Sequence, residues 1–582
     1  MKNILNFFSK SYAFIALSIF AIPSNSEACT NFLITKSASG GNGNIITYSA
    51  DSHQLYGYLY HQNAQDWPDG AMLDVYDWDS GKFMGKIPQV SHTFNVVGNQ
   101  NENQVVIAES TYGGLEQLLA QDGAIMDYGS LIYIALQRSK TAREAIKIIT
   151  DLADLYGYAS EGESFSIADK NEVWIMEVIG KGNFDKGMVW VARRVPDGYI
   201  SGHANQARIT TFNFQKKNRW NDPKADTFNS EDVVTFAIDN NFYNGSVKEF
   251  SFSDVYNPVN FEGARMCDLR VWTFFKSAAP KSFDKNNKFW DYSIGNINRI
   301  KEYNGGCQTP DMFPTNRLPL WIKPDWHVTI HQAMNAMRNH LENTVLDMAG
   351  DIGAGPFECP YRMRPLTFEV DGKTYFNERC VATQQTGWVF ASQSRDWLPD
   401  FVGGIFWFGT DDAASTVLTP FYCCLTSVTE EYAQNNGSLI EWSDNSSFWV
   451  NNMISNWAYT RYNLIHPEIE KVQQKQEMDF IEKTKDIDEK AVNIAKNNEN
   501  DAIKFLTDFS NNNAANLVKE RKKLFNYLFM KYMDGNVKIN DGDQKLKDNG
   551  SGLGIPELTQ PGYGKTWEEN VARSTGDKLL EK

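Results

Sequence analysis

"NSEACTNFLITKSASG", Asn25 to Gly40, decides how the chain is read. Ser26 and Ala28 put small residues at the −3 and −1 positions of a cut before Cys29. Upstream, Lys2 and Lys10 give a positive start, and residues 12–22 form an apolar core that Pro23 breaks. This is the three-part pattern of a secretory signal peptide, its core too short to span a membrane comfortably. Residues 1–28 are expected to be removed, leaving a mature chain that begins at Cys29 in the periplasm or outside the cell. The rival is a lipoprotein signal with Cys29 lipidated. That signal usually carries an aliphatic residue three before the cysteine, where this chain has Ser26.

Downstream of Cys29, "TNFLIT" and "NIITYSA" read as strands, and the Gly/Ser/Asn-rich "SASGGNGN" between them as a loop. "QVVIAES" is a further strand. "DYGSLIYIALQRSKTAREAIKIITDLADLYG" is a helical block with a Thr141–Glu144 capping box and Gly157 placed to end the second helix. "ESFSIAD" and "EVWIMEVIG" read as a β-hairpin with Asp169 and Asn171 in its turn. Strands, then helices, then strands again point to α+β layers rather than an alternating βαβ fold. Residues 329–344 predict an amphipathic helix capped by Thr329. Residues 466–533 are charged and helical, with apolar stripes expected to dock as a hairpin on a main domain at 29–465. Residues 534–582 read as a polar, loop-like tail.

The formal net charge is −16, and loss of residues 1–28 makes it −17. The only basic tract is the short "KERKK" at 519–523, so nucleic acid is not an expected partner. The chain is 42% hydrophobic and 13% aromatic, enough to bury a large core. Its seven cysteines (Cys29, Cys267, Cys307, Cys359, Cys380, Cys423, Cys424) contain no CxxC pair, which excludes a zinc ribbon. If Cys29 is a working thiol, six remain, and disulfides are open in an exported chain.

A cut before Cys29 would give one residue both a thiol and a free α-amine. A thiol titrates near ~8.5 and an α-amine near ~7.7–8.0. Such an amine is a well-matched base for the thiol proton, already held next to it. The chemistry then needs an acceptor to orient the amine and donors for an oxyanion.

Five stretches carry a resemblance. They are residues 29–53 ("CTNFLITKSASGGNGNIITYSADSH"), 126–152, 163–182 ("ESFSIADKNEVWIMEVIGKG"), 188–209 ("MVWVARRVPDGYISGHANQARI") and 377–409. Together they resemble the bacterial C69-family dipeptidases, which are N-terminal nucleophile (Ntn) hydrolases. The resemblance runs from Cys29 to about residue 470. It implies a four-layer αββα fold, a cysteine nucleophile, hydrolysis of dipeptides or short peptides through a thioester, and no metal or organic cofactor. It matches Cys29 to the nucleophile and Asp51 to the acid that holds the α-amine. It matches Asn205 to an oxyanion donor, Thr111 to a second oxyanion position where relatives place Asn, and Arg265 to a later active-site arginine. Tyr48 stands where many relatives have Arg.

Two other readings stay open: a non-peptide amidase of the bile-salt-hydrolase or penicillin-acylase type, and a non-catalytic exported binding protein on the same scaffold. A homo-oligomer is open as well. His327 and His331 lack the Glu of HExxH, so zinc is not expected. "GDIGAGP" and "GGNGN" read as loops. Asp66, Asp69, Asp74, Asp77 and Asp79 read as a solvated acidic face, with a weak calcium site as the alternative.

Overall fold

The stretch after Cys29 alternates as its sequence suggests. Thr30–Ile34 (β1) pairs antiparallel with Asn44–Asp51 (β2), Thr30 opposite Ser49 and Ile34 opposite Ile45. Phe32 and Ile34 point to one side of the strand and Leu33 to the other, and all three are fully buried. Both faces of the sheet are covered, which is why these strands read as nearly continuous apolar runs. The computed structural model describes residues 29–119, 121–260, 262–283, 317–344 and 346–581, so the proposed signal segment and Cys307 lie outside the described residues.

A sheet of eight strands is built around Val106–Gly113 (β3), Gly162–Ala168 (β4), Val173–Gly180 (β5) and Met188–Arg194 (β6), paired antiparallel in sequence order. The β4–β5 turn closes as expected: Asp169 Oδ1 accepts from Asn171 N at 2.6 Å and Glu172 N at 2.8 Å. The other large sheet has seven strands. Ile200–His203 (β7) lies beside β1, while Thr386–Ser394 (β8), Gly404–Thr410 (β9) and Thr419–Tyr422 (β10) follow β2 outward.

Three buried clusters show what covers each face. Leu33, Ile46 and Phe406 of the seven-stranded sheet share one cluster with Val106, Ile175 and Val191 of the other. On the far side of the eight-stranded sheet, Ile107, Phe165 and Trp174 pack with Leu131 of Tyr128–Arg138 (α1) and Ile146 of Ala142–Tyr156 (α2). Thr141 caps α2 by accepting from Glu144 N, but the Glu144 carboxylate takes the N–H of Lys140 rather than that of Thr141, so only half of the expected capping box forms. Gly157 ends the helix at φ +79°, where a Cβ would meet Ala124. The third cluster joins Phe32, Ile45 and Trp407 to Phe274 of Leu269–Ala278 (α3) and Met334 of Ile330–Ala336 (α4).

The helix expected over 329–344 is only α4. Thr329 and Gln332 form its capping box. The chain then leaves the helix: Leu341 and Asn343 take positive φ, and the Asn339 carbonyl accepts from Val381 N and Ala382 N instead of a helical N–H.

Ser447–Thr460 (α5) precedes two 34-residue helices, Tyr462–Ala495 (α6) and Glu499–Tyr532 (α7), which pack on each other and on the edge strand β10. Buried ion pairs fix the docking: Arg395 meets Asp488 at 2.5 Å, and Arg338 meets Glu477. The tail holds more structure than its polarity suggests. Val537–Lys538 pairs with Leu558–Thr559, and Lys565–Thr575 (α8) packs near residues 352–357. The half-buried residues Trp567, Val571 and Thr575 recur every fourth position, a helical stripe hidden among polar neighbours. No helix among the described residues is long and apolar enough to cross a membrane.

Candidate active site

Cys29 sits immediately before β1, and its side chain lies between the two large sheets, 1% exposed. The β1–β2 register places Tyr48 opposite Asn31, on the face that Cys29 shares. Cys29 Sγ lies 3.3 Å from Tyr48 Oη and 3.3 Å from Glu109 Oε1. Tyr48 donates to the same Glu109 oxygen at 2.6 Å. Burial holds the Tyr48 hydroxyl well above the usual phenol range, so it stays a donor. Burial also pushes Glu109 up to about 6, against the lowering hydrogen bonds from Tyr48 and Cys29. Glu163, beside it on β4, is raised further, first by burial and then by the charge of Glu109.

Asn205 follows β7 in the left-handed region, φ +55°, a conformation that asparagine tolerates better than most side chains. Three bonds to described residues help hold it. Its N–H donates to Ser110 Oγ at 2.8 Å, its Nδ2 to the Thr111 carbonyl at 2.5 Å, and its Oδ1 accepts from Arg270 Nη2 at 2.8 Å. Thr111 thus anchors Asn205 through its carbonyl, and its Oγ1 donates to Glu163 at 2.7 Å.

Arg270 is the link between strand and loop. Its Nη1 donates to the Cys29 carbonyl at 2.7 Å and to Thr30 Oγ1 at 2.8 Å, and its Nε to the Met266 carbonyl at 2.8 Å. Burial and the nearby Arg379 lower it to about 10, which leaves it charged at neutral pH. Gly263–Asp268 forms a π-helical turn leading into α3, and this turn aims the arginines. Arg265, the arginine singled out from sequence, pairs with Glu378, its guanidinium 4.8 Å from the centre of the Phe376 ring.

Asp51 ends β2, fully buried. Its Oδ2 accepts from Arg379 Nη2 at 2.7 Å and Ser49 Oγ at 3.0 Å, and its Oδ1 from Thr386 Oγ1 at 2.6 Å. Cys29, Asn205 and Thr111 are therefore joined through one hydrogen-bonded unit, with Asp51 held at the end of the neighbouring strand. Glu109, Glu163, Arg270 and Arg379 were not singled out by sequence reasoning. The available signals were a glutamate inside the apolar strand "QVVIAES" and an arginine inside the apolar run "DLRVW". Both are residue types that are rarely buried without a partner.

The other sequence candidates have local explanations. His331 Nε2 lies 3.7 Å from Glu477. In the acidic group, Asp66 pairs with His92, Asp74 with Lys86, and Asp79 accepts from Tyr128. No disulfide joins any two of the six described cysteines.

A model of peptidase family C69 matches residues 28–475. A probable dipeptidase of Latilactobacillus sakei is 23% identical over 428 residues, covering 70% of this chain and 76% of its own. A probable dipeptidase of Salmonella dublin is 23% identical over 425 residues, covering 70% and 81%. Dipeptidase A of Lactobacillus helveticus is 20% identical over 368 residues, covering 63% and 64%. The family match takes in both large sheets, the buried cysteine and everything that holds it, and the chain belongs to peptidase family C69, a peptide-bond hydrolase.

Proposed function

We propose that the protein is an exported Ntn dipeptidase whose nucleophile is Cys29. The observation that carries this reading is the Arg270 bridge, which ties the Cys29 backbone to the Asn205 amide. The three buried clusters support a four-layer αββα sandwich, helices outside and two sheets within. Export cleavage before Cys29 exposes its α-amine. Extending the register from Thr30–Ser49 sets Cys29 beside Ala50 and Asp51 one step beyond, at the strand end where the amine emerges.

The amine takes the thiol proton, and the thiolate attacks the peptide carbonyl. One hydrogen of Asn205 Nδ2 is on the Thr111 carbonyl. The same amide group is assigned as the donor to the developing oxyanion. Arg270 holds Asn205 from the opposite side, so the donor is preorganised. The ammonium returns its proton to the leaving amine, a thioester remains on Cys29, and water hydrolyses it. Thr111 acts here as a positioning residue, and Tyr48 with Glu109 occupies the space beside the sulfur. Arg265 pairs with the carboxylate of Glu378.

Alkylation mapped to Cys29 by mass spectrometry is expected to abolish dipeptide hydrolysis in step with labelling. Activity that survives complete labelling would refute the nucleophile. Amino-terminal sequencing of protein recovered from the periplasm or medium is expected to begin at Cys29. Protein retained in the cell with residues 1–28 intact would refute export.

A further inference from the structure

Beside the nucleophile lies a buried carboxyl pair that the mechanism above does not use. Glu109 and Glu163 are 2% and 1% exposed. Glu109 Oε1 accepts from Tyr48 and Cys29, and Glu163 Oε1 from Thr111, while the Oε2 atom of each is buried and the two carboxyls lie within hydrogen-bond reach of each other, so that one proton can be shared between them. The neighbouring charges acting on the pair, Asp79 and Glu161, are themselves acidic. Among the described residues no lysine or arginine forms an ion pair with either carboxyl. Sharing one proton, the pair keeps a single negative charge with no cation beside it, and an incoming ammonium would meet that charge.

A cavity opens onto Glu109 and Tyr48, walled by Leu55, Trp78, Tyr128, Tyr133 and Trp388. Trp78 and Tyr133 stack with ring centres 4.4 Å apart. A second cavity shares Trp78, Tyr133 and Trp388 and continues to Tyr58, Tyr60 and Phe408. An acidic floor under aromatic walls suits an ammonium, and the cavities, each about 20 Å³, must widen for the side chain that accompanies it.

Covalent geometry fixes which ammonium. In a peptide, the α-nitrogen of the residue whose carbonyl is attacked lies about 2.5 Å from that carbonyl carbon. A carboxylate oxygen 3.3 Å from the attacking sulfur is within its reach. Resting on the dipeptidase reading, we propose that Glu109 receives the free α-ammonium of the substrate's amino-terminal residue, whose side chain lies against Trp78, Tyr133 and Trp388. The preferred substrates are then peptides with a free amino terminus and an apolar or aromatic first residue. Acyl amides that lack the amine are poor substrates.

The test compares Phe-Ala, N-acetyl-Phe-Ala and 3-phenylpropanoyl-Ala on the mature enzyme. Wild type is expected to lose at least ~100-fold in kcat/KM on the two amine-blocked or amine-free compounds, because a buried polar group rejects a ligand that leaves it unpaired. Glu109→Gln is expected to narrow that gap below about tenfold. Equal rates of wild type on all three would overturn the proposal without recourse to any variant. If no compound is cleaved, the dipeptidase reading fails separately, and binding is read from the rate at which iodoacetamide labels Cys29. Protection by phenylalaninamide but not by N-acetylphenylalaninamide supports the ammonium site, and equal protection or none overturns it.

Discussion

Arg270 makes bonds to Cys29, Thr30, Met266 and Asn205 at once, a set that a planar guanidinium can satisfy and an ammonium cannot. Arg270→Lys is expected to lower kcat by roughly 10²-fold, as loss of one oxyanion donor does, because Asn205 loses its support. Steady-state kinetics check this, with the alkylation rate of Cys29 as the control for an intact thiol. Asn205→Ala is expected to cost about 10²–10³ in kcat while KM moves little. A change confined to KM would remove Asn205 from the transition state. Cys29, Asp51 and Asn205 were candidates in sequence because each sits in a stretch that matches a known pattern. Arg270 was not, since Arg265 lies five residues earlier and only the π-helical turn decides which arginine faces Cys29. Glu109 was hidden because its partner Tyr48 read as a missing arginine rather than as a donor.

At the scale of elements, local signals did well where backbone chemistry is local. The β4–β5 turn, the capped start of α2 and the Thr329 cap all close as their side chains suggest. The end of α4 was not legible, because the groups that take the Asn339 carbonyl, three residues past the helix, come from Val381 and Ala382, some forty residues away. The long C-terminal helices show a related point. Their apolar stripes were visible, but their docking depends on buried ions: Asp488 takes Arg395 at 2.5 Å and the Tyr422 hydroxyl at 2.7 Å. Asp488→Ala strands the buried Arg395 and is expected to cost about 3–5 kcal/mol, read by denaturant unfolding. An effect under ~0.5 kcal/mol would mean that the pair behaves as an exposed one.

Across the whole molecule, buried acids set the pH response. Asp411, at the end of β9, is pushed up to about 7 by burial, while Ser455 and Asn452 donate to it. Unfolded, an aspartate titrates near ~3.9, so the folded state holds the extra proton between about pH 4 and about pH 7. Asp411 therefore loses stability for the fold as pH rises through that window, on the order of a few kcal/mol. The Tm of Asp411→Asn relative to wild type is expected to climb as pH rises through the same window, and a flat difference would contradict the assignment. The larger claim concerns maturation. The site around Cys29 is assembled by strands from both sheets, and in the proposed mechanism its base is an α-amine that exists only if the chain begins at Cys29. The direct measurement is dipeptide hydrolysis by three purified proteins: one beginning at a free Cys29, the same with Cys29→Ala, and one keeping residues before Cys29. Activity in the first alone is the predicted result. Equal turnover by the protein with its amine still in a peptide bond, or by Cys29→Ala, would contradict the account.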